Sequence, residues 1–251
     1  MIKIVFSFDD GRSDAFEAAK ILKQHLLFGS FHIVTGFVDK TFYTYAFGTN
    51  RLPLTIDELK QMKEMGMEIS SHGDKHIMDK SDFEKSHSKL LSWGLADEKI
   101  GFSIPNSKYT EPELKKFIND TQKNISYIRA GRSPKCYSFS SKINYALYHL
   151  FKMQTAYDKF NYHNLNNADE KSVPFYSVVI TKSIKAKSVV NYLKKHENEN
   201  KIVILMFHSI VEKAKDKWEY SIKNFNYICS EISNLCAAGK MECHTLRDLI
   251  K

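Results

Sequence analysis

Two aspartates, Asp9 and Asp10, stand side by side directly after a short β-rich run, Ile2 to Phe8. Two histidines four residues apart, His72 and His76, follow another such run, and His208 follows a third, Ile202-Val-Ile-Leu-Met-Phe207. Taken singly these are commonplace: Asp pairs occupy turns and caps, and a His after a buried strand is ordinarily part of the core. Together they have a chemical logic. One carboxylate and two imidazoles form a three-ligand set for zinc or a similar divalent ion, with a fourth position open to water. If helical, the His-x-x-x-His spacing places both rings on one face. Adjacent carboxylates repel unless a cation neutralises one of them. A metal on Asp10 does so and leaves Asp9 free as a base. Water on such a metal loses its proton near neutral pH. Asp9 takes that proton, and His208 returns one to a leaving amine. The reaction class is metal-assisted hydrolysis of an amide or ester.

For these residues to meet, the strands carrying them must share one end. Strand-like and helix-like runs alternate along the whole chain. Strands are predicted at Ile2–Phe8, Phe31–Val38, Met67–Ser71, Gly101–Pro105, Ile125–Ala130, Val173–Ile180, Lys201–Phe207 and Met241–Thr245. Thr55-Ile-Asp-Glu58 and Thr110-Glu-Pro-Glu113 are capping boxes, and Ser81-Asp-Phe-Glu84 has the same form. Helices are also predicted from Ser13 or Asp14 onward, at Lys142–Met153, Ala186–His196 and Tyr220–Ala238, the last closed by Gly239. Such alternation means an α/β fold of parallel strands joined by right-handed crossovers. With about seven or eight units a barrel is favoured, because closure removes the edges, and its chemistry sits at the C-terminal strand ends.

Composition narrows the class. The chain has 251 residues, 43% hydrophobic and 26% charged, as in ordinary globular proteins, and its length suits one barrel domain spanning 1–251. Ten Gly and five Pro leave no low-complexity linker. The longest apolar run, Ile202–Phe207, is far short of the ~20 residues of a membrane span. The net charge is +8, but the Lys residues are spread over helices (Lys60, Lys63, Lys115, Lys116, Lys194, Lys195) without a block of five. With no Gly-rich phosphate loop either, a solvated basic surface is expected and no nucleic-acid partner. Cys136, Cys229, Cys236 and Cys243 form no C-x-x-C pair, which excludes a thiolate zinc site. Met1-Ile-Lys-Ile-Val-Phe enters a strand at once, without a basic or apolar leader, so a cytoplasmic location is expected.

The residues also resemble a known family. Phe6-Ser-Phe-Asp-Asp-Gly11 looks like the first motif of the NodB-homology polysaccharide deacetylases, carbohydrate esterase family 4. Ser71-His-Gly-Asp-Lys-His76 resembles their second motif, Ile204-Leu-Met-Phe-His208 their final catalytic strand, and Ala238–Thr245 the way these chains finish. The resemblance implies a single-domain, distorted (β/α)7-type barrel that removes acetyl groups from an acetylated (amino-)sugar or polysaccharide. It implies Asp9 as base, His208 as acid, and Asp10, His72 and His76 as ligands of a divalent metal. Zinc suits that donor set best, and cobalt or nickel also fits.

Two departures accompany the resemblance. The family's third motif, Arg-x-Pro, aligns with Phe102-Ser-Ile-Pro105-Asn106, where Ser103 replaces the Arg and Asn106 is the candidate substrate contact. Arg129 at the end of the next strand is then the replacement charge that orients Asp9. The rival placement is Tyr127-Ile-Arg129-Ala-Gly-Arg132-Ser-Pro134. The fourth motif, an Asp before a Trp, has only Tyr157-Asp158-Lys-Phe160 in the expected region. Phe42-Tyr43-Thr-Tyr45-Ala-Phe47 is a candidate surface for stacking sugar rings. A missing motif-three Arg leaves an alternative open, an amidohydrolase of a small non-polymeric amide or cyclic imide. A catalytically silent sugar-binding module is the remaining option.

Overall fold

A computed structural model describes residues 1–40, 43–44, 50–169 and 173–250, with the side chains at 43, 44, 50 and 51 not described. Seven strands form the frame: β1 (Ile2–Phe8), β2 (Gly29–Ile33), β3 (Glu68–Ser71), β4 (Ile100–Ser103), β5 (Ile125–Arg129), β6 (Ser177–Val179) and β7 (Lys201–Phe207). They lie in the order β5-β4-β3-β2-β1-β7-β6, every neighbouring pair parallel. The circle is completed by the residues that lead into β6. Phe175 N–H donates to the Ile128 carbonyl (2.9 Å), Ala130 N–H to Phe175 (2.8 Å) and Ser177 N–H to Gly131 (2.7 Å). A short β8 (Met241–Cys243) pairs with Ile2–Ile4 of β1, while β2 pairs with Phe6–Phe8 of the same strand. The chain therefore adopts the expected α/β architecture, a distorted (β/α)7-type barrel.

Eight helices are described: α1 (Asp14–Gln24), α2 (Ile56–Glu64), α3 (Lys80–Ser92), α4 (Glu111–Thr121), α5 (Phe139–Phe151), α6 (Gln154–Asn161), α7 (Ala186–Lys195) and α8 (Ile222–Ala237). Both Thr capping boxes form with both arms in place, at α2 and at α4. The third does not. Asp79, not Ser81, caps α3 and accepts from Ser81 N–H and Asp82 N–H. β2 ends at Ile33 rather than Val38, because Val34 begins a turn closed by Phe37 N–H on its carbonyl (3.0 Å). α6 has no counterpart in the sequence reading. Its N-cap, Met153, makes no side-chain cap bond, so the usual start signal is missing.

Strand alternation sends two sets of side chains in opposite directions. One set (Phe6, Phe8, Phe31, Phe102, Phe207) packs against the helices, where Phe8 stacks on Phe31 (4.5 Å) and meets Phe225 of α8 edge-on (5.8 Å). The other set points into the barrel and is in large part polar. Tyr127 donates to Glu68 Oε1 (2.8 Å) and its hydroxyl lies 3.1 Å from His32 Nε2, and Ser30 and Ser70 donate to Glu68 (2.6 and 2.7 Å). Val5, Ile202, Ile204, Phe175 and Leu246 fill the rest of that interior. A Cβ on Gly101 would overlap the Tyr127 ring. Gly101→Ala is therefore expected to destabilise the protein by about 1–3 kcal/mol, read as a lower urea midpoint.

Candidate active site

The site is the uppermost inward-facing layer of the barrel. Ser7 is followed by Asp9, Ser70 by His72, Tyr127 by Arg129 and Met206 by His208, each two residues further along one face of its strand. Phe8 pairs with Phe207, and Asp9 N–H donates to the Phe207 carbonyl (3.1 Å), so Asp9 and His208 leave neighbouring strand ends. After Asp9 the backbone turns sharply through two left-handed residues, Asp10 (φ 77°) and Gly11 (φ 75°). Asp tolerates this region better than most residues, and Gly tolerates it freely.

Each aspartate has its own buried arginine. Arg129 reaches across the barrel from β5, its Nη2 donating to Asp9 Oδ1 and to Ser103 Oγ (2.5 Å). Ser103 Oγ also donates to Asp9 Oδ1 (3.3 Å). Both of these bonds fall on Oδ1 and leave Oδ2 as the other acceptor of Asp9. His32 lies beneath, its Nδ1 3.7 Å from the same Oδ1. Burial first, then the Arg129 charge, pushes the His32 imidazole well below its ordinary range, so it stays neutral. Arg12 grips Asp10 Oδ2 through Nε (3.1 Å) and Nη2 (2.9 Å) and donates from Nη1 to Ser209 (3.1 Å). That grip points Asp10 Oδ1 at the histidines. Burial raises the Asp10 pKa, but His208, Arg12, His72 and His76 outweigh it and bring it to about 2.

His72 and His76 meet on a loop rather than on a helix. Asp82, in the first turn of α3, holds that loop by accepting the N–H groups of Asp74 (2.9 Å), Lys75 (2.9 Å) and Ile77 (3.3 Å). Within the clasp His76 takes a left-handed φ of 64°. His72 Nδ1 lies 2.9 Å from the Ser103 carbonyl. A carbonyl only accepts, so Nδ1 carries the proton and Nε2 presents a lone pair. That Nε2 is 3.0 Å from His76 Nε2 and 3.7 Å from Asp10 Oδ1, and His76 Nε2 is 3.8 Å from the same oxygen. Ligand atoms about 2.0–2.1 Å from a tetrahedral metal stand about 3.4 Å apart. The three donors thus fit a divalent cation, and the Nδ1–H bond to Ser103 is the outer partner that a ligating imidazole needs. Burial, with the other imidazole or Arg129 adding to it, holds His72 and His76 near a pKa of about 4, so both are neutral and ready to ligate at neutral pH.

His208 packs on Trp218 (ring centroids 4.6 Å), and its Nδ1 is buried with no hydrogen-bond partner among the described residues. Burial lowers its pKa, while Asp10 and Asp9 pull it upward. Asp158 does not supply the missing partner. It is bound to Lys195 (3.1 Å) and Gln154 (2.8 Å) behind the barrel wall, away from His208. Asn106 is exposed on the turn after β4 with φ 55°, and among the described residues no hydrogen bond joins it to Asp9 or to the Asp10 cluster. The aromatic segment 42–47 lies outside the described residues apart from the backbone of Tyr43 and Thr44. Three residues escaped the sequence reading: Arg12, Asp82 and Trp218. Arg12 immediately follows Asp-Asp-Gly, and only its complete burial distinguishes it from a surface charge.

The sequence features and geometry agree with the comparisons. The polysaccharide deacetylase family model matches residues 2–142 of the 251, and the chain belongs to that family. Among curated proteins none matches the chain. The fold is similar to that of a family 4 carbohydrate esterase from Streptomyces lividans, solved with acetate, at 13% identity over 96% of this chain and 91% of that one (TM-score 0.52). It is similar also to a family 4 acetyl xylan esterase from Clostridium thermocellum, solved with a cobalt ion, at 13% identity over 98% and 90% (TM-score 0.51). A family 4 pseudoenzyme from Bacillus anthracis shares the fold at 11% identity over 100% of this chain and 65% of that one (TM-score 0.53).

Two outcomes are expected from this geometry. Asp82→Ala should weaken binding of added zinc by about 10–100-fold in calorimetry, because the loop presenting His76 loses its clasp. Stability should fall as pH drops from the ordinary imidazole pKa of 6.5 toward about 4, where the unfolded chain binds protons that folded His72 and His76 refuse. The slope is roughly 1.4 kcal/mol per pH unit for each imidazole kept neutral. Urea midpoints measured across that window should fall less steeply in His72→Asn/His76→Asn.

Proposed function

We propose that this chain is a metal-dependent deacetylase that hydrolyses the acetyl amide or ester of an acetylated (amino-)sugar or polysaccharide. The observation that carries the reading is the Asp10–His72–His76 cluster, set beside a separately anchored Asp9 and next to His208. Asp10 Oδ1, His72 Nε2 and His76 Nε2 would hold the divalent cation, for which zinc suits the donors and cobalt or nickel fits as well. Such a cation, when bound, supplies Lewis-acid activation of water and of the acetyl carbonyl.

The remaining work falls to the chain's own groups. Because Asp9 Oδ1 is engaged by Arg129 and Ser103, Oδ2 receives the proton of the attacking water. Arg129 also fixes the carboxylate in place, as Ser103 does from β4. His208 Nδ1 is buried against Trp218, which leaves Nε2 to protonate the departing sugar nitrogen or oxygen. Because Arg129 supplies the charge that Ser103 lacks, the alternative reading as a small-amide or cyclic-imide hydrolase has no observation in its favour. A silent sugar-binding module is opposed by the presence of base, acid and ligand set together.

The test is acetate release from acetylated amino-sugars and their oligomers, with and without a chelator. Full turnover by the chelated protein overturns the reading. Asp9→Asn should retain zinc in calorimetry and lose turnover by about 10²–10⁴-fold, and unchanged turnover removes Asp9 as the base.

A further inference from the structure

Helix α5 is apolar on both sides. Tyr148 is buried on its inner face, as a packed helix requires. The outer face carries Phe139, Ile143 and Leu150, exposed to 82%, 45% and 73%, with Phe151 beside them at 68%. Positions 139, 143, 146 and 150 fall on one stripe of a 3.6-residue helix, so these side chains form a continuous ridge. An apolar stripe on a helix ordinarily faces a packing partner, and nothing in this chain covers the Phe139–Ile143–Leu150 stripe among the described residues.

The surroundings of the ridge have one sign of charge. Residues 121–157 contain no Asp or Glu and include Lys123, Arg129, Arg132, Lys135, Lys142 and Lys152. The segment touching the far end of α5 lies in a second acid-free stretch, residues 173–196. There His149 bonds to Ser183, Lys152 Nζ donates to the Ser183 carbonyl, and Lys185 N–H donates to Tyr148 Oη. Lys135 and Lys142 are exposed next to and on α5, and Lys182 and Lys185 are exposed in the segment at its far end, where Lys182 Nζ donates to the Lys215 carbonyl. Asp158 just beyond is buried against Lys195 and does not offset them.

The geometry points to α5 as a helix that lies in the surface of an anionic lipid bilayer. The Phe139–Ile143–Leu150 ridge enters the acyl boundary, and the flanking lysines meet acidic headgroups. No helix among the described residues is long and apolar enough to cross a membrane, and a helix with this ridge needs only to lie along one. A second copy of the chain is a poorer occupant. Pairing two such faces would bring their flanking lysines together, like charge against like.

The test is co-sedimentation of the full chain with phosphatidylcholine vesicles holding about 30% phosphatidylglycerol, against phosphatidylcholine alone. The chain should sediment with the anionic vesicles, and added salt should weaken this. Phe139→Ser/Leu150→Glu and Lys135→Glu/Lys142→Glu should each reduce partitioning at least ~10-fold. Both pairs are exposed, so an unchanged melting temperature verifies that the variants fold. Failure to sediment with either vesicle overturns the proposal, as does equal binding to neutral vesicles unaffected by the lysine changes. A dimer in light scattering that Phe139→Ser/Leu150→Glu converts to monomer also overturns it and assigns the ridge to a second copy. None of these readouts depends on catalytic activity.

Discussion

The contact between Asp9 and Arg129 is the constraint around which the upper half of the barrel is arranged. It joins β1 to β5 across the interior, and both side chains are almost wholly removed from water. Such a pair costs much desolvation and is sustained only when further hydrogen bonds accompany it. Ser103 supplies these from β4, and the Met206 sulfur lies 2.8 Å from the second guanidinium nitrogen. Residues from four strands are therefore tied to one carboxylate. Asp10 repeats the device with Arg12 and Ser209 on the outer side of the same turn. Two adjacent negative charges are thereby held in different directions, one toward the histidines and one toward the barrel axis.

The sequence made the framework legible where local rules decide it. β1 and β7 have the predicted limits, and the capping boxes at Thr55 and Thr110 form as written. The convergence of Asp9, Asp10, His72, His76 and His208 followed from placing each at a strand end. What stayed hidden is what tertiary contact decides. The loop between His72 and His76 is shaped by Asp82, which in the sequence looks like any acidic residue in a helix's first turn. Asp158 looked apt by position in the chain, but it faces Lys195. The β-rich run Val34 to Val38 reads as a continuation of β2, but there Thr35 N–H is bound to the Gly73 carbonyl and Gly36 N–H to the Asp74 carbonyl.

The resemblance places motif three at Ser103, whereas the guanidinium beside Asp9 comes from Arg129 on the adjacent strand. Ser103 Oγ from β4 and Arg129 Nη2 from β5 both donate to Asp9 Oδ1. The two strands are in register at these residues.

The polar lining of the barrel bears also on how the strands find one another. Sliding β1, β2, β4 or β7 by a single residue would drive a phenylalanine into a lumen already occupied by Tyr127, and such a slip of β1, β2 or β3 would turn Ser7, His32 or Glu68 toward the oily layer beneath the helices. Misaligned sheets are thus penalised twice, by crowding inside and by stranded dipoles outside. The alternation that delivers the reactive groups to the rim also serves as an alignment gauge while the cylinder assembles.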